Sequence, residues 1–278
     1  MKASLKNIES ELRDLYETLI SETKSYRHRK NNRLKVYVLF GALAGKFYQK
    51  DGTMFIGRSP YGWHCFVNDE KIPNLFAKEK IVKEDEISYV DSVDKPLFDI
   101  PGKLTLLKNV NQASKVWQLL KILGEKLYGE DWEQYIVYSN YCKIAPDENS
   151  GRHGTPPVGL RNIQEKIVDK ILRLELDSFK PKHIIAYTGL TLKDIDFSER
   201  LMHMLLSYYS GEIDTPKYSK RWVDYRNVRL IEDDRIDCNL LEIYKTGDRY
   251  IYLLNHPERR SPKKQASTIL KAKELGYW

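Results

Sequence analysis

Four short runs of apolar residues have the length and composition of β-strands. They are TMFIGR at 53–58, QYIVYS at 134–139, KHIIAYTG at 182–189 and RYIYLLNHP at 249–257. The first is the clearest, because it is almost wholly apolar and leads into a Gly/Pro turn. We therefore predict four strands, each followed by a polar loop.

Apolar residues at three- and four-residue spacings predict helices between and around these strands. The N-terminal helix covers about residues 4–25, begins at Ser4 as N-cap and carries the apolar positions Leu5, Ile8, Leu12, Leu15 and Leu19. A helix ending at Phe179 is indicated by Ile163, Ile167, Ile171 and Leu174. Two more helices are predicted at 117–129 and 261–275.

Strands that alternate with helices predict an α/β fold, a three-layer α/β/α domain around a central, mostly parallel four-stranded sheet. We expect a single domain over 1–278, with an N-terminal helix and basic segment at 1–35 and insertions at 68–130 and 212–248. The second insertion contains a predicted β-hairpin. Residues 36–48 fit either a short strand or a helix. In such folds ligands bind beyond the carboxyl ends of the strands.

Composition and charge narrow the function classes. The 278 residues are 41% hydrophobic and 31% charged, which excludes a disordered chain. The net charge of +7 favours a polyanionic partner such as nucleic acid, although an ordinary positive surface explains it equally well. The basic run at 27–35 could contact phosphates or form a solvated helix end.

The cysteines and the hydropathy pattern indicate the compartment. Cys65, Cys142 and Cys238 are far apart, so neither a disulfide framework nor a cysteine-based metal site is predicted. No signal peptide and no membrane-spanning run is present in the sequence given, so we expect a cytoplasmic protein that needs no metal or other cofactor.

Five segments in strand and helix context resemble the uracil-DNA glycosylase superfamily. They are Ile56–Tyr61, Ser139–Pro146, the helix from Glu165 to Glu175, Pro181–Gly189 and Asn255–Pro257. The resemblance covers residues 53–270 and implies the superfamily's three-layer fold. It also implies excision of a base from double-stranded DNA by a monomer that leaves an abasic site.

The resemblance implies that Asn140 and His256 are catalytic. The amide of Asn140 can donate and accept hydrogen bonds at once, which suits the edge of a flipped pyrimidine. The alternative is an asparagine that caps the following turn. His256 corresponds to the histidine that hydrogen-bonds the leaving base, and Pro257 to the proline that directs its loop. The alternative for His256 is an ordinary polar loop residue.

The loop at 57–66 corresponds to the family's loop for water and sugar. Ser59 occupies the catalytic position where other branches have aspartate or asparagine. A hydroxyl can orient water but cannot stabilise a cationic sugar as a carboxylate does. Asp69 or Glu70 could supply that charge.

The same loop offers base-binding residues. Gly57 opens it, and Phe66 corresponds to the aromatic residue on which the extruded base stacks, with core filling as the alternative. Tyr61 corresponds to a residue that excludes bases with a C5 substituent, which argues for a small base. Trp63 adds an aromatic face but departs from the family's pattern.

The expected DNA contacts are basic. Lys143 corresponds to a lysine beside the pocket, for which we expect phosphate contact or a role in pocket structure. Residues after the His-Pro pair correspond to the minor-groove loop, where Arg259 or Arg260 would fill the space of the flipped base. The full predicted set is Arg58, Lys143, Arg259, Arg260, Lys263 and Lys264.

The resemblance leaves the excised base open. The absence of a cysteine quartet excludes the iron–sulfur branches, and the departure at Ser59 indicates a divergent member. One divergent kind defends bacteria against bacteriophage by excising glucosylated 5-hydroxymethylcytosine, and that phage base is the leading substrate. The alternatives are repair of uracil or another damaged pyrimidine, and DNA binding without catalysis.

Overall fold

A computed structural model describes ten segments of the chain, and the following account concerns these alone. They are 2–24, 37–39, 42–45, 47–58, 66–67, 115–146, 156–187, 195–210, 228–255 and 260–278. The five helices are α1 (Lys2–Lys24), α2 (Lys115–Tyr128), α3 (Val158–Phe179), α4 (Ile195–Ser210) and α5 (Pro262–Glu274). A 3₁₀ turn, Trp132–Tyr135, precedes the second of the predicted strands.

Ten strands are described. They are β1 (Tyr37–Leu39), β2 (Leu43–Ala44), β3 (Thr53–Gly57), β4 (Phe66–Val67), β5 (Ile136–Asn140), β6 (Ile144–Pro146), β7 (His183–Ala186), β8 (Val228–Leu230), β9 (Leu241–Thr246) and β10 (Arg249–Leu254). The α/β class is confirmed, and all four predicted strands are present as β3, β5, β7 and β10. All residues of β3, β5 and β7 are buried, which explains why their sequences are largely apolar.

The main sheet has seven strands rather than four, in the order β2–β5–β3–β7–β10–β9–β8. The four predicted strands are neighbours within it. β3 pairs with β7 in parallel, with Ile56 opposite Ala186, and β10 also pairs with β7 in parallel, with Leu253 opposite Ala186. β9 pairs with β10 and β8 in antiparallel fashion, so the sheet is mixed.

The predicted hairpin in the second insertion is present but is not separate from the main sheet. β8 and β9 form an antiparallel pair, as predicted. β9 also continues through a tight turn into β10, where Gly247 has a positive φ of 59° that a residue with a side chain rarely adopts. The hairpin therefore extends the edge of the main sheet.

The ambiguous segment at 36–48 contributes two short strands. β1 pairs in antiparallel fashion with β4 and with β6, which makes a second, three-stranded sheet. β2 lies in the main sheet beside β5.

The chain divides into two compact units, each built from three chain segments. The first comprises Met1–Ala44, Gly57–Pro101 and Tyr138–Phe179, and the second comprises Gly45–Ile56, Gly102–Val137 and Lys180–Trp278. This division does not follow the predicted insertion boundaries. Within the first unit α1 packs on α3, and within the second α2 packs on α5.

The four predicted helices lie within a few residues of α1, α2, α3 and α5, whereas α4 was not predicted. In α1, Leu12, Tyr16 and Leu19 are buried, whereas Leu15 of the predicted stripe is half-buried. None of the helices in the described segments is both long and apolar enough to cross a bilayer.

The predicted face of α3 is offset from the observed one. Of its four predicted apolar positions only Ile171 is buried. The buried face includes Val168, Leu172 and Leu176, and it also carries two polar residues, Gln164 and Glu175.

Candidate functional site

Asn140 is the last residue of β5 and its side chain is completely buried, with 0% of its surface exposed. Because side chains alternate along a strand, Tyr138 lies on the same face, and its hydroxyl donates to Asn140 Oδ1 over 3.2 Å. Asn140 Nδ2 has no acceptor within the described part of the chain. A buried amide donor without a partner is costly, and in a native protein it calls for an explanation such as a ligand.

Two of the segments that carry the family resemblance meet here. The backbone N–H of Tyr141 donates to the carbonyl of Gly57 over 2.8 Å, and that of Cys142 donates to the carbonyl of Arg58 over 2.9 Å. The carboxyl ends of β3 and β5 are therefore joined directly beside Asn140. This places Gly57, Arg58 and Asn140 in one region of the first unit, as the sequence predicted.

On the opposite face of β5, Ser139 belongs to a buried charged network. Lys143 Nζ lies 2.7 Å from Glu175 Oε1 and 2.9 Å from Glu175 Oε2, and it donates to Ser139 Oγ over 2.7 Å. Ser139 Oγ in turn donates to Glu175 Oε2 over 2.7 Å. None of the three side chains is exposed to solvent. The two residues that bracket Asn140 are thus both bonded to one carboxylate of α3.

Helix α3 also holds the backbone after Asn140. Gln164 Oε1 accepts from the backbone N–H groups of Lys143 and Ile144 over 3.1 Å each, and Gln164 Nε2 donates to the Ile144 carbonyl over 3.0 Å. The Tyr141 hydroxyl lies 3.3 Å from Asp169 Oδ1. Three side chains of α3 therefore contact the segment from Ser139 to Ile144.

Burial changes the acid–base chemistry of this segment. Desolvation lowers the pKa of the Lys143 ammonium, and the neighbouring Glu175 carboxylate opposes that shift. Desolvation also raises the pKa of the Cys142 thiol, against the opposing charges of Arg161 and Arg58. The thiol is therefore protonated at neutral pH, and Cys142 does not fit a nucleophilic role.

The position of Lys143 corrects one of its two predicted roles. We expected phosphate contact or a role in pocket structure. A side chain with no exposed surface, whose ammonium already binds a carboxylate and a hydroxyl, is not placed to contact a phosphate. The structural role remains.

The end of β10 has a different chemistry. Asn255 is 4% exposed, its Nδ2 donates to the carbonyl of Asn239, and its own carbonyl accepts from Gln265 Nε2. Gln265 lies in α5 and is fully buried. The residue just before His256 is therefore anchored by neutral amides within the second unit.

Several predicted site residues lie outside the described residues. These are Ser59, Tyr61, Trp63, Asp69, Glu70, His256, Pro257 and Arg259. The backbone of Phe66 lies opposite Val38 in the small sheet. Their predicted roles in water activation, stacking and leaving-group stabilisation stay predictions.

The predicted basic residues at the start of α5 are exposed. Arg260, Lys263 and Lys264 all reach solvent. Ser261 caps the helix by accepting from the backbone N–H of Lys264 over 3.4 Å, and Lys264 Nζ lies 3.5 Å from Asp237 Oδ2. Exposure is compatible with the predicted phosphate contacts.

A cavity of about 900 Å³ lies in the second unit around residues 230–243. Its lining contains Glu232, Asp233, Asp234 and Glu242, with Arg235 as the cation among them. Arg235 is already paired with Asp233 over 2.6 Å. This negative lining does not fit a polyanion, so we place the candidate site at Asn140 instead.

The sequence predicts Asn140 as a site residue but gives no role to the polar residues of α3. It marks Glu175 only as the end of the helix that carries the resemblance, and it does not distinguish Gln164. A signal was present, since the two residues are eleven positions apart and therefore lie on one face of a helix. No protein-family model and no curated protein matches this chain.

Proposed function

We propose that this protein is a monofunctional DNA glycosylase of a fold like that of the uracil-DNA glycosylases. It would flip a modified pyrimidine out of double-stranded DNA and hydrolyse its N-glycosidic bond, leaving an abasic site. The foremost substrate is glucosylated 5-hydroxymethylcytosine in bacteriophage DNA, and the biological role is defence against phage.

The observation that carries the proposal is the buried Nδ2 of Asn140, which has no acceptor within the described part of the chain. A pyrimidine presents acceptors on its Watson–Crick edge, and an enzyme that acts on a base must take that base into a pocket to read this edge. The donor lies at the carboxyl end of a sheet strand, where α/β folds bind ligands. The joined ends of β3 and β5 also support the proposal, because both carry residues of the resemblance.

The remaining roles come from the resemblance. His256 would hydrogen-bond the leaving base and so stabilise the charge that develops on it. Ser59 would orient the attacking water, and Phe66 and Trp63 would surround the base. Tyr61, which corresponds to a residue that excludes C5-substituted bases, favours uracil, the alternative substrate. Exposed Arg260, Lys263 and Lys264 would contact phosphates, which predicts DNA binding that weakens as salt rises.

The test uses three duplexes that are unmodified, uracil-containing, or glucosyl-hydroxymethylcytosine-containing. Abasic sites are detected after incubation with the purified full-length chain, and the released base is identified by mass spectrometry. We expect release of the glucosylated base alone. Comparable release of uracil would indicate a repair enzyme. Salt-sensitive DNA binding without any abasic product would indicate a binding protein and overturn catalysis.

Two variants and a control test the assignment of residues. Asn140→Ala and His256→Ala should both lose base release on the substrate that the wild type cuts. Asn162→Ala is the matched control, because Asn162 is an exposed asparagine of α3. Full activity of both site variants would show that the residues are wrongly assigned.

A further inference from the structure

Asn140 is bracketed in sequence by the two residues that bind Glu175. Ser139 precedes it and Lys143 follows three residues later, and both side chains bond to the same buried carboxylate at 2.7 Å. Ser139 lies on the face of β5 opposite to Asn140, because neighbouring strand residues alternate. The network therefore constrains the backbone on both sides of Asn140 without occupying the face that its amide uses.

Lys143 is held at both of its ends by one helix. Its backbone N–H binds Gln164 and its ammonium binds Glu175, which lies eleven residues further along α3. Eleven residues correspond to roughly 16 Å of helix. Lys143 therefore contacts α3 at two separate points, and the turn after Asn140 cannot shift along the helix without breaking one of these contacts.

An ion pair in this position is not explained by stability alone. Burying two charges costs desolvation, and apolar residues of similar volume often give an equal or greater free energy of unfolding. What an ion pair adds is a single preferred geometry, since only one arrangement satisfies both charges and the serine hydroxyl. Here that geometry includes the strand end that carries Asn140.

We propose that Lys143, Glu175 and Ser139 form a positioning device that holds the Asn140 amide at the correct distance and orientation to hydrogen-bond the base. Lys143 and Glu175 are positioning residues, since neither touches the base. This inference rests on the proposed glycosylase function. It predicts that the device contributes to the rate of base release in protein that is fully folded.

The decisive variant is Lys143→Met/Glu175→Leu in the full-length chain, which replaces the pair by apolar side chains of similar size. Its matched control is Lys121→Met/Glu125→Leu, since that pair lies 3.7 Å apart on α2 and is about half exposed. Single-turnover kinetics use the duplex on which the wild type is most active among the three named above. Thermal unfolding is measured on the same samples.

We expect the double variant to unfold at a temperature close to that of the wild type. Its maximal rate of base release should fall by about 10- to 100-fold, because small misplacements of a positioned group cost that much. The substrate concentration at half-maximal rate should change less than threefold, since the phosphate contacts are untouched. The control pair should show wild-type rates.

The outcomes separate the two proposals. A folded double variant with the wild-type rate overturns the positioning device alone. Absence of base release by the wild type from every duplex overturns the glycosylase function and this inference with it. If the double variant does not fold, Ser139→Ala decides, since it keeps the ion pair and removes only the hydroxyl that joins β5 to it. A fall in its maximal rate supports the device, and an unchanged rate overturns it.

Discussion

Two buried asparagines lie at the ends of strands of the same sheet, and they use their amide donors differently. Asn255 Nδ2 donates to the backbone carbonyl of Asn239. Asn140 Nδ2 has no acceptor within the described part of the chain, although its Oδ1 accepts from Tyr138. The Asn255 donor is thus used within the protein, whereas the Asn140 donor remains for a group that the described residues do not supply.

The surroundings of the two asparagines differ in the same way. Asn255 is anchored by Gln265, a neutral amide. The segment around Asn140 is anchored by a buried ion pair and by Gln164. A hydrogen bond between neutral amides costs little desolvation to bury, whereas the stability of a buried ion pair depends on both charged partners being present. Burial alone therefore does not distinguish a structural asparagine from a candidate ligand-binding one. The distinction comes from whether the amide N–H group has an acceptor among the described residues.

The largest expected effect comes from breaking the ion pair at one side. Glu175→Leu leaves the Lys143 ammonium buried without a counter-charge and should lower the free energy of unfolding by about 3–5 kcal/mol. Desolvation already lowers the pKa of Lys143, and loss of Glu175 lowers it further. Urea unfolding near neutral pH measures the cost.

The loss in free energy of unfolding caused by Glu175→Leu should become smaller as pH rises. Between the lowered folded-state pKa of Lys143 and the ordinary lysine pKa of about 10.4, the unfolded chain binds more protons than the folded one. The free energy of unfolding therefore increases with pH in this window. Lys143→Met/Glu175→Leu is the control, because it has no lysine to titrate there. If Glu175→Leu lowers the free energy of unfolding by the same amount near pH 7 and near pH 9.5, the pH dependence does not come from Lys143.

The next effect concerns activity rather than stability. Asn140→Ala should lower the maximal rate of base release by about 10²–10³-fold, as removal of one positioned donor does in other enzymes. Its free energy of unfolding should change by less than about 1 kcal/mol, because the variant loses the bond from the Tyr138 hydroxyl to Oδ1 but also removes Nδ2, a buried donor without an acceptor among the described residues, and the two contributions oppose each other. Single-turnover rates and urea unfolding give the two values. A large loss of stability with an unchanged rate would make Asn140 a structural residue.

The sequence predicted the four strands because apolar runs are a local signal of buried strands. The role of Asn140 came from the family resemblance, since its position at a strand end alone fits a turn-capping asparagine equally well. The seven-stranded sheet was not predicted, since β2 has only two residues and its neighbour β5 is distant in sequence, and since the predicted β8–β9 hairpin was not expected to join the sheet through β10.

The polar anchors were missed for a related reason. The stripe of Ile163, Ile167 and Leu174 predicted a buried face of α3 that the structure shows only half-buried. Gln164 and Glu175 occupy the buried face because Lys143 and the backbone of the β5–β6 turn satisfy them. Polar residues with buried partners elsewhere in the chain cannot be recognised from helix periodicity alone.

Asn255→Ala should show the reverse of the Asn140 pattern. It removes the bond to the Asn239 carbonyl and should lower the free energy of unfolding by about 1–2 kcal/mol. The rate of base release per folded molecule should fall by less than tenfold, because this amide is already bound within the protein. Urea unfolding and single-turnover rates are compared with those of Asn162→Ala. A loss of rate as large as that of Asn140→Ala would remove the distinction between the two asparagines.

The smallest effect is expected at Gln265, the anchor of Asn255. Gln265→Leu removes one hydrogen bond to the Asn255 carbonyl, but it also removes Oε1, a buried acceptor without a donor among the described residues. The two contributions oppose each other, so the free energy of unfolding should change by less than about 1 kcal/mol.

Gln265→Glu gives a sharper test, because a buried carboxylate cannot donate a hydrogen bond to the Asn255 carbonyl, whereas the protonated acid can. Burial raises the pKa of such an acid, so this variant should be most stable at low pH and lose stability as pH rises through its folded-state pKa. Urea unfolding at several pH values measures both variants, and a pH-independent Gln265→Glu would mean that this side chain is not buried against Asn255.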